Sequence, residues 1–321
     1  MKYTKLGNSD MNISRICLGC LSLGDAAKEG NNPWLLNQET TDAVFGKALE
    51  MGINFFDTAN YYNGGTSEIY LGNAVKKLAK REEIYLATKV YYNEGALSRE
   101  AILREVDASL KRLQTDYIDL YIIHRWDYSH PIEETMQALH DIIKAGKVRY
   151  IGASAMYAYQ FLKAQETARH HGWTPFISMQ DHYNLIYRED ERELFPLLTE
   201  ENIQITPYSP LAAGRLARLW DSGSLRSKGD SFHKKVYDTN KEIDYPIVER
   251  VHETAEKYGV PMSQIALAWL LSKDVLAAPV VGVSKMKHLE DAVAAVDLKL
   301  EEQDIAYLEE LYVPHKVQGA L

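Results

Sequence analysis

One pattern recurs along this chain and restricts its fold more than any other: a short apolar run, a polar turn, then an amphipathic helical stretch. The runs are Arg15–Gly19, Ile53–Asp57, Ile84–Lys89, Tyr117–His124, Val148–Ala153, Phe176–Gln180, Gln204–Pro207 and Ala278–Gly282. Most are nearly continuous in apolar residues, as strands buried on both faces are. Strand–helix alternation builds a parallel sheet, because a parallel neighbour needs a crossover. Eight units predict closure into a (β/α)8 barrel of the TIM type, within the α/β class. At 321 residues the chain has the length of one such barrel, so residues 1–321 are expected to form a single domain.

Between the runs, Ile102, Val106, Leu110 and Leu113 recur at spacings of four and three, one face of a helix. Pro131 sits where a first turn begins, with Glu133 and Glu134 just inside. That suits both the fixed φ of proline and the helix dipole. Leu289, Val293 and Val296 repeat the face pattern near the end. Three segments depart from the repeat. Residues 1–14 precede the first barrel strand and are expected to form an N-terminal β-hairpin beneath it. Leu211–Tyr245 reads as a long polar connection, and connections that long are functional or mobile. Glu301–Leu311 reads as an extra C-terminal helix, followed by the tail Tyr312–Leu321.

The net charge of −9 argues against a general grip on nucleic acid or an anionic membrane surface, both of which need a basic face. No apolar run approaches a membrane span and no apolar signal core follows Met1, so a cytoplasmic location is expected. Cys17 and Cys20 have C-x-x-C spacing. A structural zinc site needs four ligands, and the sequence holds no second cysteine pair. On a strand, an offset of three puts the two side chains on opposite faces. They are read as reduced, buried thiols, and no metal is expected.

In a barrel of this kind, function sits at the C-terminal ends of the strands and in the loops beyond. Three consecutive runs end in reactive side chains: Asp57, Lys89 and His124. Just past Asp57, Tyr61 and Tyr62 supply phenols. Each residue alone is weak evidence; the set has a coherent chemistry. A phenol titrates at about pH 10, and a neighbouring ammonium is expected to lower that value. A carboxylate beside the ammonium keeps it charged and oriented. An imidazole aligns a carbonyl by hydrogen bonding. Together they describe a proton donor for an oxyanion made by hydride attack.

The segment Asn54-Phe55-Phe56-Asp57-Thr58-Ala59, with Tyr62 five residues after Asp57, resembles the signature of the aldo-keto reductase family. The resemblance continues through Lys89, His124, Gly152-Ala153-Ser154, Gln180, Tyr183-Asn184-Leu185, Tyr208-Ser209-Pro210-Leu211-Ala212 and Gly282-Val283-Ser284-Lys285, covering nearly the whole chain. His124-Arg125-Trp126-Asp127, Ser178–Asn184 and Tyr312-Val313-Pro314-His315 resemble one bacterial subgroup of it. The resemblance implies an NADPH-dependent oxidoreductase that reduces an aldehyde or ketone. It makes Tyr62 the proton donor, tuned by Lys89, with Asp57 holding Lys89 and His124 orienting the carbonyl. It assigns Ser154 and Gln180 to the nicotinamide amide and Tyr208 to the stack on the nicotinamide ring. Ser209, Pro210, Leu211, Gly214 and Arg215 would cover the pyrophosphate. Ser284, Lys285 and His288 would hold the 2′-phosphate and Asp291 the adenine amino group, with Gly282 also among the cofactor-binding residues. The family usually has Asn after the Ser, where this chain has Ala155.

Tyr61, Tyr92 and Trp126, with Trp34 as a further candidate, are expected to wall the pocket for a small-molecule carbonyl substrate. Arg125 and Arg215 are candidates for an acidic substituent. Either a monomer or a homo-oligomer is compatible with the sequence. Two other readings stay open. One is a cofactor-retaining regulatory protein, since the same barrel resembles β subunits of voltage-gated potassium channels. The other is an unrelated barrel hydrolase or isomerase; a glycosidase would need two facing carboxylates at strand ends, where only Asp57 ends a run.

Overall fold

The computed structural model describes residues 1–26, 34–220 and 236–318. The chain opens with an antiparallel hairpin, β1 (Tyr3–Lys5) and β2 (Asn12–Ser14). Eight parallel strands follow: β3 (Cys17–Gly19), β4 (Phe55–Asp57), β5 (Tyr85–Val90), β6 (Ile118–Ile123), β7 (Val148–Ser154), β8 (Ser178–Gln180), β9 (Gln204–Ile205) and β10 (Val280–Gly282). Their spatial order is β10-β3-β4-β5-β6-β7-β8-β9, the order of the chain around a ring. The ring closes through the segment leading into β10. There Ala277 N donates to Ile205 O at 2.8 Å, and Val280 N donates to Pro207 O at 2.9 Å. The eight runs read as strands are thus the eight strands of a (β/α)8 barrel.

Helices cover the outside: α1 (Gln38–Glu50), α2 (Thr66–Leu78), α3 (Arg99–Leu113), α4 (Ile132–Lys144), α5 (Ala158–His171), α6 (Leu194–Glu200), α7 (Lys241–Tyr258), α8 (Met262–Leu271), α9 (Met286–Ala294) and α10 (Glu302–Glu309). In α3 the expected face is the buried one, with Ile102, Val106 and Leu113 inside and Leu110 packed at its edge. Asn37 and Ser98 cap α1 and α3 by accepting backbone N–H bonds, as short polar side chains do.

Two apolar layers result. The larger lies between strands and helices; the smaller fills the barrel and includes Cys17, Phe55, Leu120 and Ile122. Leu6, Met11 and Ile13 from the hairpin join the inner layer, so the hairpin plugs the bottom of the barrel as expected. The plug fits closely. Gly7, at φ +53°, approaches so near that a Cβ there would lie 2.3 Å from Ile177 O. Cys17 and Cys20 are free, buried thiols divided between the inner and outer layers.

Most barrel strands are shorter than the apolar runs that mark them; β9 retains two residues of Gln204–Pro207. The apolar run reports burial, which extends past the ladder of hydrogen bonds. The reading of Leu211–Tyr245 as one connection is corrected at its end. Helix α7 begins at Lys241, after two short turns at Ala212–Gly214 and Asp238–Asn240. Residues 221–235 of that stretch lie outside the described residues. The extra C-terminal helix is present as α10. Among the described residues, no helix is long and apolar enough to cross a membrane.

Candidate active site

Parallel strands bring Asp57, Lys89 and His124 to one rim, because β4, β5 and β6 pair in register with their C-terminal ends together. Asp57 closes β4, Lys89 is the penultimate residue of β5, and His124 follows β6. Tyr62 begins a tight turn, Tyr62–Gly65, in which Asn63, Gly64 and Gly65 all take positive φ. That turn folds the chain back over the end of β4.

Lys89 is fully buried and ties the set together. Its ammonium donates to Asp57 Oδ1 at 2.5 Å, to Thr58 O at 2.8 Å and to Tyr62 Oη at 3.4 Å. An ammonium has three donors, and all three are used. Burial works against its charge, yet the carboxylate of Asp57 and the phenol of Tyr62 hold its pKa above the ordinary lysine value. The rings of Tyr62 and His124 meet edge to face, with centroids 5.6 Å apart. Burial, and then the charges of Lys89 and Arg125, push the imidazole of His124 well below its ordinary pKa, so it is neutral. Its Nδ1 is shielded from solvent without a hydrogen-bond partner.

Lys89 pulls the pKa of Tyr62 down, as expected, but does not set it. Burial pushes the phenol up to about 12, outweighing the downward pull of Lys89. The ammonium limits the rise without cancelling it, because the same strand end that supplies the charge also removes water.

Tyr61 and Tyr92 join this cluster. Their ring centroids lie 4.5 Å apart, and Tyr92 meets His124 at 5.0 Å. Arg125 donates to the hydroxyl of Tyr92. Trp126 is half-buried and packs against the outer apolar layer.

The remaining sequence-derived residues gather on the opposite half of the rim. Ser154 closes β7 and is buried. Gln180 closes β8, and its amide donates to Asp57 Oδ2 at 3.0 Å, linking the two halves. Ala155 follows Ser154 at φ +50°. Tyr208–Arg215 runs on from β9. In it Ser209, Ala212, Ala213 and Gly214 all have positive φ, and the chain folds into tight turns in which Ala212 N donates to Ser209 O at 2.9 Å and Gly214 N to Leu211 O at 2.7 Å. Arg215 is buried and already paired with Asp238, its Nη2 2.5 Å from Oδ1. Gly214 and Arg215, with Ala213, Arg218, Trp220 and Asp238, line a cavity of about 180 Å³. Gly282 ends β10, and Ser284 and Lys285 stand exposed before α9. Ser284 Oγ lies 3.5 Å from His288 Nδ1. Asp291 accepts from Lys287 at 2.9 Å and Gln264 at 3.3 Å.

Three contributors escaped the sequence reading. Arg218 lies in the cavity wall and, after burial and Lys285, also depresses the pKa of His288. His182 stacks on Tyr208 with centroids 5.3 Å apart and planes 13° from parallel, and Tyr187 stacks on His182 at 4.2 Å. Glu105, on α3, bonds the loops beyond β4 and β5. The signal available for Glu105 is a carboxylate beside Val106 on the apolar face of its helix, where a buried charge needs partners.

The sequence model of the aldo/keto reductase family matches residues 15–313. An aldo-keto reductase of Fusarium vanettenii is 41% identical over 348 residues, covering 99% of this chain and 92% of the relative. A versiconal hemiacetal acetate reductase of Aspergillus parasiticus is 40% identical over 343 residues, covering 99% of this chain and 98% of the relative. A solved thermostable aldo-keto reductase, in complex with the inhibitor epalrestat, superposes with a TM-score of 0.77. It is 29% identical and covers 97% of this chain and 100% of its own. Eight of the curated relatives, 37–41% identical, are fungal, and the bacterial subgroup expected from the rim and tail motifs finds no support. Motifs of four to seven residues weigh a few positions, whereas these identities weigh the whole chain.

Proposed function

This chain belongs to the aldo/keto reductase family, and on that premise we propose that it reduces an aldehyde or ketone with NADPH, using Tyr62 as proton donor. The observation that carries the reading is the buried ammonium of Lys89, bonded at once to Asp57 and Tyr62 beside a neutral His124. Bound NADPH would supply the hydride. Tyr62 gives its phenolic proton to the oxyanion formed at the carbonyl oxygen. Its phenol, pushed up to about 12, is protonated across the neutral range, and an alkoxide is a stronger base still. Lys89 stabilises the phenolate left behind. His124 carries its hydrogen on Nε2, because a shielded lone pair on Nδ1 is a cheaper orphan than a shielded N–H. Nε2–H then orients the carbonyl. Asp57 fixes Lys89, and Tyr61, Tyr92 and Trp126 favour a flat, apolar carbonyl compound.

The residues of the opposite rim fit the cofactor. Tyr208 has its back against His182, which supports a ring stacked on its other face. The tight turns of Ser209–Gly214 bring the backbone beside the cavity lined by Gly214, Arg215 and Arg218, whose guanidinium groups suit phosphate oxygens. Ser284, Lys285 and His288 stand at the N-terminus of α9, where the helix dipole and a cation favour the extra 2′-phosphate. Ser154 and Gln180, at the ends of β7 and β8, are the residues we assign to the amide of the nicotinamide. We read the chain as acting through one barrel domain over residues 1–321.

The test is NADPH consumption across aldehydes, ketones and sugar phosphates. Tyr62→Phe is expected to lose on the order of 10²–10⁴-fold in kcat while binding NADPH normally. Full activity in that variant overturns the assignment. The pH dependence follows from the direction of the shift. Reduction needs the protonated phenol, so it stays level through neutral pH and falls only toward about pH 12. Alcohol oxidation needs the phenolate, so its rate rises with pH over the same range.

A further inference from the structure

We propose that Glu105 is a positioning residue for the proton donor, tying the loop that carries Tyr62 to the loop that carries Tyr92. The proposal rests on Tyr62 as donor. Glu105 sits in α3 at 7% exposure, flanked by Val106 on the buried face. Its Oε2 accepts from Asn60 Nδ2 at 2.8 Å and from Asn93 Nδ2 at 2.7 Å. Asn60 is two residues before Tyr62, and its backbone N–H donates to Lys89 O at 3.1 Å. Asn93 directly follows Tyr92. One carboxylate oxygen therefore joins the two segments whose rings meet at His124.

The Tyr62 loop needs an outside brace. Its turn holds three consecutive residues at positive φ, Asn63, Gly64 and Gly65, residue types that enter this region at little cost and leave the position of the loop to its contacts. Arg112 leans on the far side, where a Cβ on Gly65 would lie 3.1 Å from Arg112 Cδ. Arg112 is itself held by the buried Glu68 at 2.5 Å, and Glu68 accepts from Thr88, the neighbour of Lys89. Helix α3 thus supports the loop from two points, Arg112 at Gly65 and Glu105 at Asn60. The contact they protect has little slack, because Tyr62 Oη stands 3.4 Å from Lys89 Nζ. An apolar residue at position 105 would avoid burying a charge, but it could not accept from both asparagines.

The experiment measures kcat for carbonyl reduction, the NADPH Kd and the solvent isotope effect in D2O. Glu105→Ala is expected to lower kcat by about tenfold or more, since small displacements of a reacting group cost that much. It should enlarge the solvent isotope effect, because proton transfer becomes slower, and leave the NADPH Kd unchanged. Glu105→Gln should restore kcat, as its amide oxygen accepts both bonds. In a Tyr62→Phe background, Glu105→Ala should have no further effect on kcat. An equal fractional loss in both backgrounds means that Glu105 supports the barrel generally, and the proposal is wrong. Wild-type kcat in Glu105→Ala, with Tyr62→Phe impaired, sinks the proposal and leaves the donor standing. Full activity in Tyr62→Phe removes the donor role and the proposal with it. Should Glu105→Ala not fold, Asn93→Ala cuts the same tie from the half-buried loop. It must then show the enlarged isotope effect, or the proposal fails.

Discussion

At the ends of β4 to β6, the side chains assigned to the chemistry are already joined. Lys89 holds Asp57, Thr58 O and Tyr62 at once, and His124 lies against Tyr62. At the ends of β7 to β10, the side chains assigned to the cofactor hold other partners or face water. Arg215 is paired with Asp238, Asp291 with Lys287, and Ser284 and Lys285 are exposed. What is preformed there is mostly backbone, in the left-handed residues of Ser209–Gly214. Under the proposed function, the contrast follows from what each half must do. A proton donor needs one geometry in a dry place, which a buried ion pair supplies. A cofactor must arrive and leave, and of the residues assigned to it Ser284 and Lys285 stand where water can reach them. Changes in the first half should therefore cost stability and rate together. Changes in the second should cost binding alone.

Lys89→Met should show the largest effect. It removes one partner of a fully buried pair and strands the carboxylate of Asp57, 2% exposed, in the barrel rim. Breaking such a pair costs about 3–5 kcal/mol. Urea denaturation should report a loss of that size, alongside near-complete loss of reduction. A loss under about 1 kcal/mol would break the comparison, since it would mean that the rim is wet enough to shelter Asp57 alone.

Lys285→Ala probes the other half. Its side chain is exposed, so the change should leave denaturation midpoints nearly unmoved. NADPH affinity should fall about tenfold, the size of one charge-assisted hydrogen bond, and NADH affinity should stay as it was. Titration calorimetry with both cofactors decides it. An equal loss for both would place Lys285 away from the 2′-phosphate.

The sequence made the first half more legible than the second, for a physical reason. Strands buried on both faces leave continuous apolar runs, and each run ends where its ladder meets the rim, so Asp57, Lys89 and His124 announce themselves. What burial does to a charge is invisible in a sequence. The downward pull of Lys89 on Tyr62 can be read from spacing, and the desolvation that outweighs it cannot. The start of α7 was missed because its first turns read as polar loop. Asn240 makes no side-chain cap bond there, and Pro246 stands inside the helix. Arg218 and His182 were missed because their partners, His288 and Tyr208, are distant in sequence or adjacent only through stacking.

Ala155 gives the smallest effect and the finest probe, because it stands where the two halves meet. It follows Ser154 at the end of β7, and its N–H donates to Gln180 O at 3.2 Å, beside the side chain that reaches Asp57. At φ +50° it occupies a backbone region that costs an L-residue about 1–2 kcal/mol and that Asn tolerates better. Ala155→Asn should therefore raise stability by up to about 1 kcal/mol and tighten NADPH a few-fold through one added amide contact. kcat should not change, since the Lys89 cluster is untouched. A rise in both stability and affinity at constant kcat would sharpen the division, with binding tuned on one side and chemistry fixed on the other. A fall in kcat would show that the Gln180–Asp57 bond transmits changes across the rim, and the two halves would then have to be treated as one site.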